Sequence, residues 1–416
     1  MHLISPVPDE TFACPRCDQE MLVEGFWLPG MHVCAKTVCQ KCGGRFFSHL
    51  RVHFVGGPVH FDRETLALVS TDAGWFDHSI RNGAQRVIDR DPVIRIEQIR
   101  PLKRPVIVSL VDYLYGHCFH RLYKTAELLD ADPPADILIV APRFMEWLIP
   151  DGVAEIWIVD IKPSEALAMF PALASRYQAR LFDLPPAHVA GMWAPGVFDM
   201  TRFTRVPPIS GRTEGVFERP VLTFSWRDDR FWTWRGREIS GPAAGEEQAA
   251  LFVELCEALR VEMPGLDVAV TGYGLIGRFP DWIADMRATE RTDVIERGWV
   301  ERYARSHATM GVYGSNMLLP MAHSAGCVQL VTTTYIHALN HAVEYIDRRF
   351  TASQALGQIF SIPTSCSLSD IATVTMTAIQ RGTRSLSYGA ARRPTADWIW
   401  KRTHDFRLRD AEGNLR

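Results

Sequence analysis

The chain has 416 residues, of which 47% are hydrophobic and 22% charged, and its formal net charge is -3. This composition is that of a globular protein and excludes a collagen, a coiled coil and a mostly disordered chain. The small negative charge argues against a nucleic-acid-binding surface over the whole chain. We find no signal peptide and no apolar run of about 18 residues, so we expect a cytoplasmic protein without a membrane span.

Changes in residue pattern along the chain predict four segments. Residues 1–60 are rich in cysteine and predict a small separate module. Residues 61–210 and 211–385 each alternate apolar runs with helical patterns, and residues 386–416 predict a C-terminal helix followed by a tail. A Pro/Gly/Arg-rich stretch at 205–215 indicates a linker between the two larger regions.

The first alternating region predicts four strands and two helices. The strands are expected at 106–111, 136–141, 155–160 and 179–183, and the helices at 117–129 and 163–176. Short, continuous, β-branched runs of this kind suit parallel strands that are buried on both faces.

The second alternating region repeats this pattern. The strands are expected at 221–225, 267–271, 308–312 and 328–331, and the helices at 245–260, 293–305, 317–325 and 368–381. Alternation of strands and helices predicts parallel sheets, hence an α/β protein with two tandem Rossmann-like domains. Ligands of such sheets bind beyond the carboxyl ends of the strands, so the residues that follow each strand are the candidates for function.

Four cysteines near the start of the sequence have the spacing of a metal site. Cys14 and Cys17 form one C-x2-C pair, and Cys39 and Cys42 form a second pair after 21 residues. Two such pairs supply four thiolates for tetrahedral zinc, with no open position, so we predict a structural zinc in a small N-terminal zinc ribbon. Cys34 and His32 are candidate replacements for one ligand, and a redox pair is the alternative. The ribbon either stabilises the fold or offers a docking surface to a protein partner.

The passage after the first α/β strand carries candidate catalytic residues. A helix pattern begins at His117, and His120 follows one turn later on nearly the same face. A histidine at a helix N-terminus is kept neutral by the helix dipole and can act as a general base. His117, His120 and the preceding Asp112 are therefore candidate catalytic residues, although either histidine could instead pack or cap the helix.

Two passages of the second region predict an anion site. Arg227 and Arg230 follow the strand that opens the region, and they could clamp a diphosphate with paired hydrogen bonds. Gly314, Ser315 and Asn316 follow a later strand, where a glycine lets a ligand approach the backbone and helix-start amides bind anions. The alternatives are a surface Arg–Asp network and a well-capped helix.

A glycine-rich passage imitates a dinucleotide-binding motif. Gly272, Gly274 and Gly277 match G-x-G-x-x-G after a strand, but Pro280 fits poorly into the helix that such a site requires. We therefore expect no nicotinamide site there.

Three passages resemble motifs of a glycosyltransferase family that contains plant xylosyl- and arabinosyltransferases and an extracellular O-linked N-acetylglucosaminyltransferase. Residues 115–122 resemble its "H-w-l" helix, residues 225–230 its "S-R-x-x-x-R" strand end, and residues 311–316 its "G-x-H-G-A-x-x-x-N" turn. Tyr313 and Ser315 stand where that turn usually carries His and Ala.

The resemblance implies a GT-B fold and an inverting sugar transfer that needs no divalent cation. The donor would be a nucleotide-diphosphate sugar, and the acceptor a hydroxyl of a glycan, a small molecule or a protein. His117 would be the base, with His120 in reserve. Arg227 and Arg230 would hold the diphosphate, and the turn Gly314, Ser315 and Asn316 would bind the nucleotide or sugar.

Two other functions are consistent with the sequence. One is a binding protein whose zinc ribbon recognises nucleic acid or protein, while the α/β regions are not catalytic. The other is a nucleotide-sugar epimerase of similar two-domain shape. A salt-sensitive gel shift would identify the first, and analysis of the products formed from a labelled nucleotide sugar would identify the second.

Overall fold

A computed structural model describes residues 1–52, 57–72, 74, 77–84, 86–191, 200–209, 219–232, 242–331 and 359–391. The chain divides into two compact units. The first comprises Met1–Arg205 together with Arg291–Glu296, and the second comprises Val206–Glu290 and Arg297–Arg416. Among the described residues, none of the helices combines the length and the apolar composition that crossing a membrane requires.

The first unit contains a six-stranded mixed sheet. Its strands are β1 (His2–Ser5), β7 (Ile94–Gln98), β8 (Pro105–Ser109), β9 (Asp136–Pro142), β10 (Glu155–Val159) and β11 (Ala187–Val189). They lie in the order β1-β11-β8-β9-β10-β7. The four central strands are parallel, whereas β1 and β7 pair antiparallel at the two edges. Three of the four predicted strands, those at 106–111, 136–141 and 155–160, are confirmed, and the antiparallel edges were not predicted.

A second sheet of the first unit is an antiparallel meander. Its strands are β2 (Leu22–Trp27), β3 (Cys34–Val38), β4 (Arg45–His49), β5 (Val59–Asp62) and β6 (Leu68–Thr71), paired in chain order. Trp27, Phe47 and Phe61 from this meander share an apolar cluster against which Tyr113 and Leu114 pack. The meander therefore lies against the turn that follows β8.

The helices of the first unit follow the apolar spacing of the sequence. They are α1 (Asp77–Ala84), α2 (Tyr115–Leu129), α3 (Pro171–Leu181) and α4 (Thr201–Thr204), with 3-10 helices at Arg143–Leu148 and Pro163–Glu165. Helix α2 is buried over most of its length, including Phe119 and Leu122. Its predicted extent, 117–129, is confirmed to within two residues at its start.

The prediction of a strand at 179–183 is wrong. Residues up to Leu181 belong to α3, because Leu173, Tyr177 and Leu181 recur at the helical spacing of four and are all buried. The corresponding strand is β11, six residues later. The predicted helix at 163–176 is wrong in its extent, since it is divided into a single 3-10 turn and α3, which begins at Pro171.

The second unit contains one six-stranded sheet in which every pair of strands is parallel. The strands are β12 (Val221–Arg227), β13 (Asp267–Tyr273), β14 (Ile283–Asp285), β15 (Ala308–Val312), β16 (Cys327–Val331) and β17 (Ile359–Pro363), and the helices are α5 (Pro242–Glu262), α6 (Asp293–Tyr303), α7 (Leu318–His323) and α8 (Leu368–Ala391). All four predicted strands and all four predicted helices of this region are confirmed. Strands β14 and β17 were not predicted.

The strand order of this sheet shows where its topological switch point lies. The order is β14-β13-β12-β15-β16-β17, which is 3-2-1-4-5-6 when the strands are counted from β12. In this doubly wound order the strands are added toward one edge of the sheet from the first strand and toward the other edge from the fourth strand. Ligands of such sheets bind beyond the carboxyl ends of those two strands. The switch point therefore lies at the ends of β12 and β15. The predicted C-terminal helix at 396–406 lies outside the described residues.

Candidate functional site

A buried aspartate and a histidine meet beyond the end of β8 in the first unit. Asp112 follows β8 by three residues, and one of its carboxylate oxygens accepts the backbone N–H of Leu114 at 2.9 Å, just before α2. The other oxygen lies 3.3 Å from Nδ1 of His117. Because an ionised carboxylate only accepts hydrogen bonds, Nδ1 carries the proton and the basic lone pair is at Nε2. This tautomer is the one that general-base catalysis at Nε2 requires.

Arg121 fixes this carboxylate in place and was not among the residues predicted from the sequence. Its guanidinium donates to Asp112 at 3.0 Å and to the carbonyls of Ser109 at 2.5 Å and Val111 at 3.1 Å. Burial alone would raise the pKa of Asp112, but the charge of Arg121 and the contact with His117 outweigh it and lower that pKa below its ordinary value. Asp112 is therefore an anion at neutral pH. Arg121 follows His117 by four residues, and this helical spacing was the available signal.

His120 lies one turn further along α2 in a different environment. Its ring meets Tyr123 edge-on, with 6.4 Å between the ring centroids. Both histidines are almost fully buried, His117 being 6% and His120 5% exposed. His117 lies 3.3 Å from Asp112.

The antiparallel meander contributes buried histidines near this site. Burial lowers the pKa of His49 to about 3, with the charges of His32 and Arg121 adding to the effect. Burial also lowers the pKa of His32, against which the Leu167 carbonyl and the charge of Asp112 act. Both rings are therefore neutral at pH 7. Because their pKa values respond to Asp112 and Arg121, they lie within electrostatic reach of that ion pair.

A second buried carboxylate of the first unit belongs to the segment Arg291–Glu296. Glu296 accepts hydrogen bonds from the Tyr115 hydroxyl at 3.3 Å and the Trp147 indole N–H at 3.2 Å. Arg291 lies 3.5 Å from its other oxygen and stacks over the Tyr115 ring. Burial raises the pKa of Glu296 to about 6, although all three neighbours oppose that rise. Sequence reasoning missed this residue because nothing in the pattern of α6 distinguishes it.

We expect Glu296→Gln to flatten the dependence of stability on pH. The pKa of Glu296 is about 6 against an ordinary 4.5, so the folded protein holds this proton more tightly than the unfolded chain does. The resulting stabilisation, about 2 kcal/mol, is fully present below pH 4.5 and is lost as the pH rises through about 6. Denaturant unfolding of wild type and variant across this range measures the difference. Glu127→Gln, at an exposed site, is the control, and equal pH profiles for all three proteins would contradict the prediction.

In the second unit, Arg227 is engaged by a neighbouring carboxylate. Its guanidinium forms a two-pronged ion pair with Asp229, in which Nε donates to one carboxylate oxygen at 2.6 Å. The Arg227 side chain is 24% exposed and that of Asp229 is 65% exposed. Burial acts to raise the pKa of Asp229, but the bond to Arg227 prevails and the pKa is lowered. A ligand at Arg227 would therefore compete with Asp229.

Arg230 joins the ends of β12 and β15. Its guanidinium donates to the carbonyl of Tyr313 at 2.7 Å, across 83 residues of sequence. Gly314 has φ +153°, and a Cβ atom there would lie 2.6 Å from the Arg230 guanidinium and 2.9 Å from Oδ1 of Asn316. Only glycine lets these groups approach so closely. The predicted arginine strand end and glycine turn therefore meet at the switch point.

The amide of Asn316 ties the turn to β12. Its NH2 group donates to the Ser225 hydroxyl at 3.3 Å and to the Val312 carbonyl at 3.4 Å. Its Oδ1 is buried and has no hydrogen-bond partner among the described residues. Ser315 begins a short 3-10 turn before α7, which has six residues. Because α7 is so short, the predicted anion site cannot rest on its helix dipole and depends on the side chains and the backbone of the turn.

The glycine-rich passage at 272–277 runs from β13 into a loop. Arg287 fills that loop, donating to the carbonyls of Ile276 at 2.5 Å and Gly277 at 2.8 Å and stacking over Trp226 and Phe279. The N-terminus of a helix, on which dinucleotide binding depends, does not occur within this described passage. The carbonyls of this loop therefore bind a buried arginine side chain.

The four predicted cysteine ligands come together in the first unit. Their sulfur atoms all lie within 4.8 Å of one another, and the pairs Cys14–Cys42 and Cys17–Cys39 are 3.6 and 3.5 Å apart. Tetrahedral zinc with bonds of about 2.3 Å requires sulfur–sulfur distances of about 3.8 Å, so the cluster fits a metal ion. Cys34 is not a member of the cluster. Burial raises the pKa of its thiol, which keeps it protonated.

Comparison with known proteins gives no family. No protein-family profile matches the chain. No curated protein matches it significantly in sequence.

Solved structures show weak likeness. The glycosyl transferase family 9 protein from Veillonella parvula is 8% identical, with 70% of this chain and 99% of that chain covered and a TM-score of 0.37. The iron-containing dodecameric glycosyltransferase TibC from enterotoxigenic E. coli is 11% identical, with 75% and 74% covered and a TM-score of 0.30. Accessory secretory protein 1,2 and 3 of Streptococcus pneumoniae is 9% identical, with 89% and 64% covered and a TM-score of 0.27. These values are too low to assign the chain to a family.

Proposed function

We propose that this protein transfers a sugar from a nucleotide-diphosphate sugar to a hydroxyl acceptor. The observation that carries the proposal is the contact between Arg230 and the carbonyl of Tyr313 beside Gly314, at the switch point of a doubly wound sheet. A fixed guanidinium next to a half-buried glycine turn suits a diphosphate, which is the leaving group of this reaction. The motif resemblance of residues 225–230 and 311–316 supports the same substrate class.

The proposed donor site uses groups from both strand ends. Arg230, and Arg227 once its ion pair with Asp229 opens, would neutralise the diphosphate. Gly314 would admit the nucleotide or sugar against the backbone, while Ser315 and Asn316 would offer hydrogen bonds. Arginine in place of a cation agrees with the cation-independent, inverting chemistry that the resemblance implies.

The proposed chemistry assigns the base to the first unit. Nε2 of His117 would take the proton of the acceptor hydroxyl as its oxygen forms a bond to the anomeric carbon. The bond between that carbon and the diphosphate oxygen breaks, and the nucleoside diphosphate leaves with the electron pair. Asp112 would stabilise the resulting imidazolium, which it contacts through Nδ1. We further propose a GT-B arrangement of the two units, with the N-terminal cysteines as a structural zinc ribbon.

Nucleotide binding tests the donor site. We expect nucleoside diphosphates to raise the melting temperature of the wild type. At a hundredfold excess over Kd, the apparent free energy of unfolding should increase by about 2.7 kcal/mol. Arg230→Ala should weaken binding roughly tenfold or more, since bonds to charged groups contribute about 1.5–3 kcal/mol. Arg219→Ala, at a side chain that is 68% exposed in the same unit, is the control.

Two results would overturn the proposal. One is that none of the nucleoside diphosphates and nucleotide sugars binds the wild type. The other is that Arg230→Ala and Arg219→Ala bind the nucleotide equally well. A labelled nucleotide sugar that is isomerised without transfer would instead identify an epimerase.

A further inference from the structure

The edge strand β7 exposes an unusual amount of apolar surface. Val93 is 71%, Ile96 51% and Ile99 55% exposed, within seven consecutive residues. On one side β7 pairs with β10, and on its other side no strand pairs with it among the residues that the structure describes. An open, apolar edge is a template for pairing with another strand.

The backbone groups of this open edge can be assigned from the pairing with β10. The N–H of Ile99 donates to Ala154, and the carbonyl of Val93 accepts from Asp160, so both residues point their backbone groups toward β10. Because backbone direction alternates along an antiparallel strand, the N–H and C=O groups of Ile94, Ile96 and Gln98 point away from β10. The open edge thus presents three residues with both a donor and an acceptor.

The sequence of this edge is complementary to itself. When two copies run antiparallel about a two-fold axis at Ile96, each Ile96 lies opposite the other copy's Ile96. Val93 then lies opposite Ile99, and Ile94 opposite Gln98. Arg95 lies opposite Glu97, which pairs opposite charges directly across the strands and does so twice. The outward backbone groups of the middle residue also face each other in this register.

We propose that a second copy of this chain docks on β7, forming a two-fold dimer in which the two mixed sheets continue into one another. Arg95 already forms an ion pair with Glu146 in its own chain, and in the dimer it would bridge Glu146 and the Glu97 of the second copy. The apolar side chains that are exposed in one copy become covered by the other. Seven residues make a short interface, so the dimer is reversible and depends on protein concentration. The proposal is independent of the proposed function.

Charge reversal tests the register. Sedimentation velocity of the full chain over a wide range of concentrations should show a monomer–dimer equilibrium. Arg95→Glu and Glu97→Arg each place like charges opposite one another twice, and each should raise the dimer Kd roughly tenfold or more. The double variant restores opposite charges and should restore the dimer, even though Glu at position 95 then lies beside Glu146.

Arg176→Glu is the matched control, because Arg176 is also an arginine with a 59% exposed side chain that pairs with a carboxylate of its own chain. It should dimerise like the wild type. Circular dichroism serves to check that each variant is folded. A wild type that stays monomeric at all concentrations overturns the proposal. So do single variants that dimerise normally, and a folded double variant that remains monomeric.

Discussion

Replacing Cys39 with serine is expected to abolish metal binding and to unfold the N-terminal part of the first unit. The four sulfur atoms lie within 4.8 Å of one another, and metal binding to such sites contributes about 10 kcal/mol or more to folding. Cys14 and Cys39 also belong to the apolar core that contains Ile107 and Leu138 of the mixed sheet. Loss of the metal should therefore destabilise that sheet as well.

Two measurements check this prediction. Elemental analysis should find one zinc per chain in the wild type and none in Cys39→Ser, and the melting temperature should fall. Each 1 kcal/mol of lost stability lowers the melting temperature of a unit of this size by roughly 2–4 °C. Cys34→Ala is the control, since Cys34 is a buried cysteine of β3 that lies outside the cluster. Full zinc content in Cys39→Ser, or loss of zinc in Cys34→Ala, would contradict the assignment of ligands.

The parallel strands and the metal cluster could be predicted because their signals are local. Strands such as β9 and β10 are continuous β-branched runs that are buried on both faces, and the two C-x2-C pairs each form one tight turn. In such cases residue type and short-range spacing carry the information that the fold uses.

The edge strands could not be predicted because their pairing is non-local. His2–Ser5 pairs with Ala187–Val189, far away in the sequence. In Ile94–Gln98, four of the five residues are exposed, so neither segment has the apolar run of a buried strand. The apolar residues at 179–183 predict a short strand, but the period of four from Leu173 to Leu181 indicates a helix. That period extends over nine residues, so a segment of five residues does not reveal it.

The candidate sites also divide into features with local and with non-local signals. The positions of His117 and Arg230 after strands could be predicted from the sequence, because ligand sites of α/β sheets lie there. Their partners were not visible, since the contact of Arg230 with Tyr313 spans 83 residues and Glu296 gains its environment only from tertiary packing. Arg121 was within reach of helical spacing but resembled any charged residue on a helix.

Replacing His117 with alanine is expected to lower the rate of sugar transfer about 10²–10⁴-fold while leaving nucleotide binding unchanged. This range is the usual contribution of a general base. His117 is the histidine of α2 that lies 3.3 Å from Asp112, whereas His120 packs edge-on against Tyr123. His120→Ala on the same helix is therefore the matched control, and it should retain most of the activity.

Variants of Arg121 test whether His117 is catalytic or only supports the fold. Arg121→Lys keeps a positive charge beside Asp112 but loses the fork that binds the Ser109 and Val111 carbonyls, so it should lower kcat and leave KM for the donor unchanged. Arg121→Met leaves the Asp112 carboxylate buried without its counter-ion, which costs about 3–5 kcal/mol of stability. The lowered pKa of Asp112 should then rise, because the positive charge that lowers it is gone.

Steady-state kinetics of the wild type and of both histidine variants distinguish the outcomes. A lower rate in His117→Ala, with a rate close to that of the wild type in His120→Ala, is the expected result. Equal rates for His117→Ala and wild type would remove the base assignment. If His120→Ala alone lost activity, the base would belong to the residue one turn further along α2, and the Asp112–Arg121 pair would serve to hold the start of that helix.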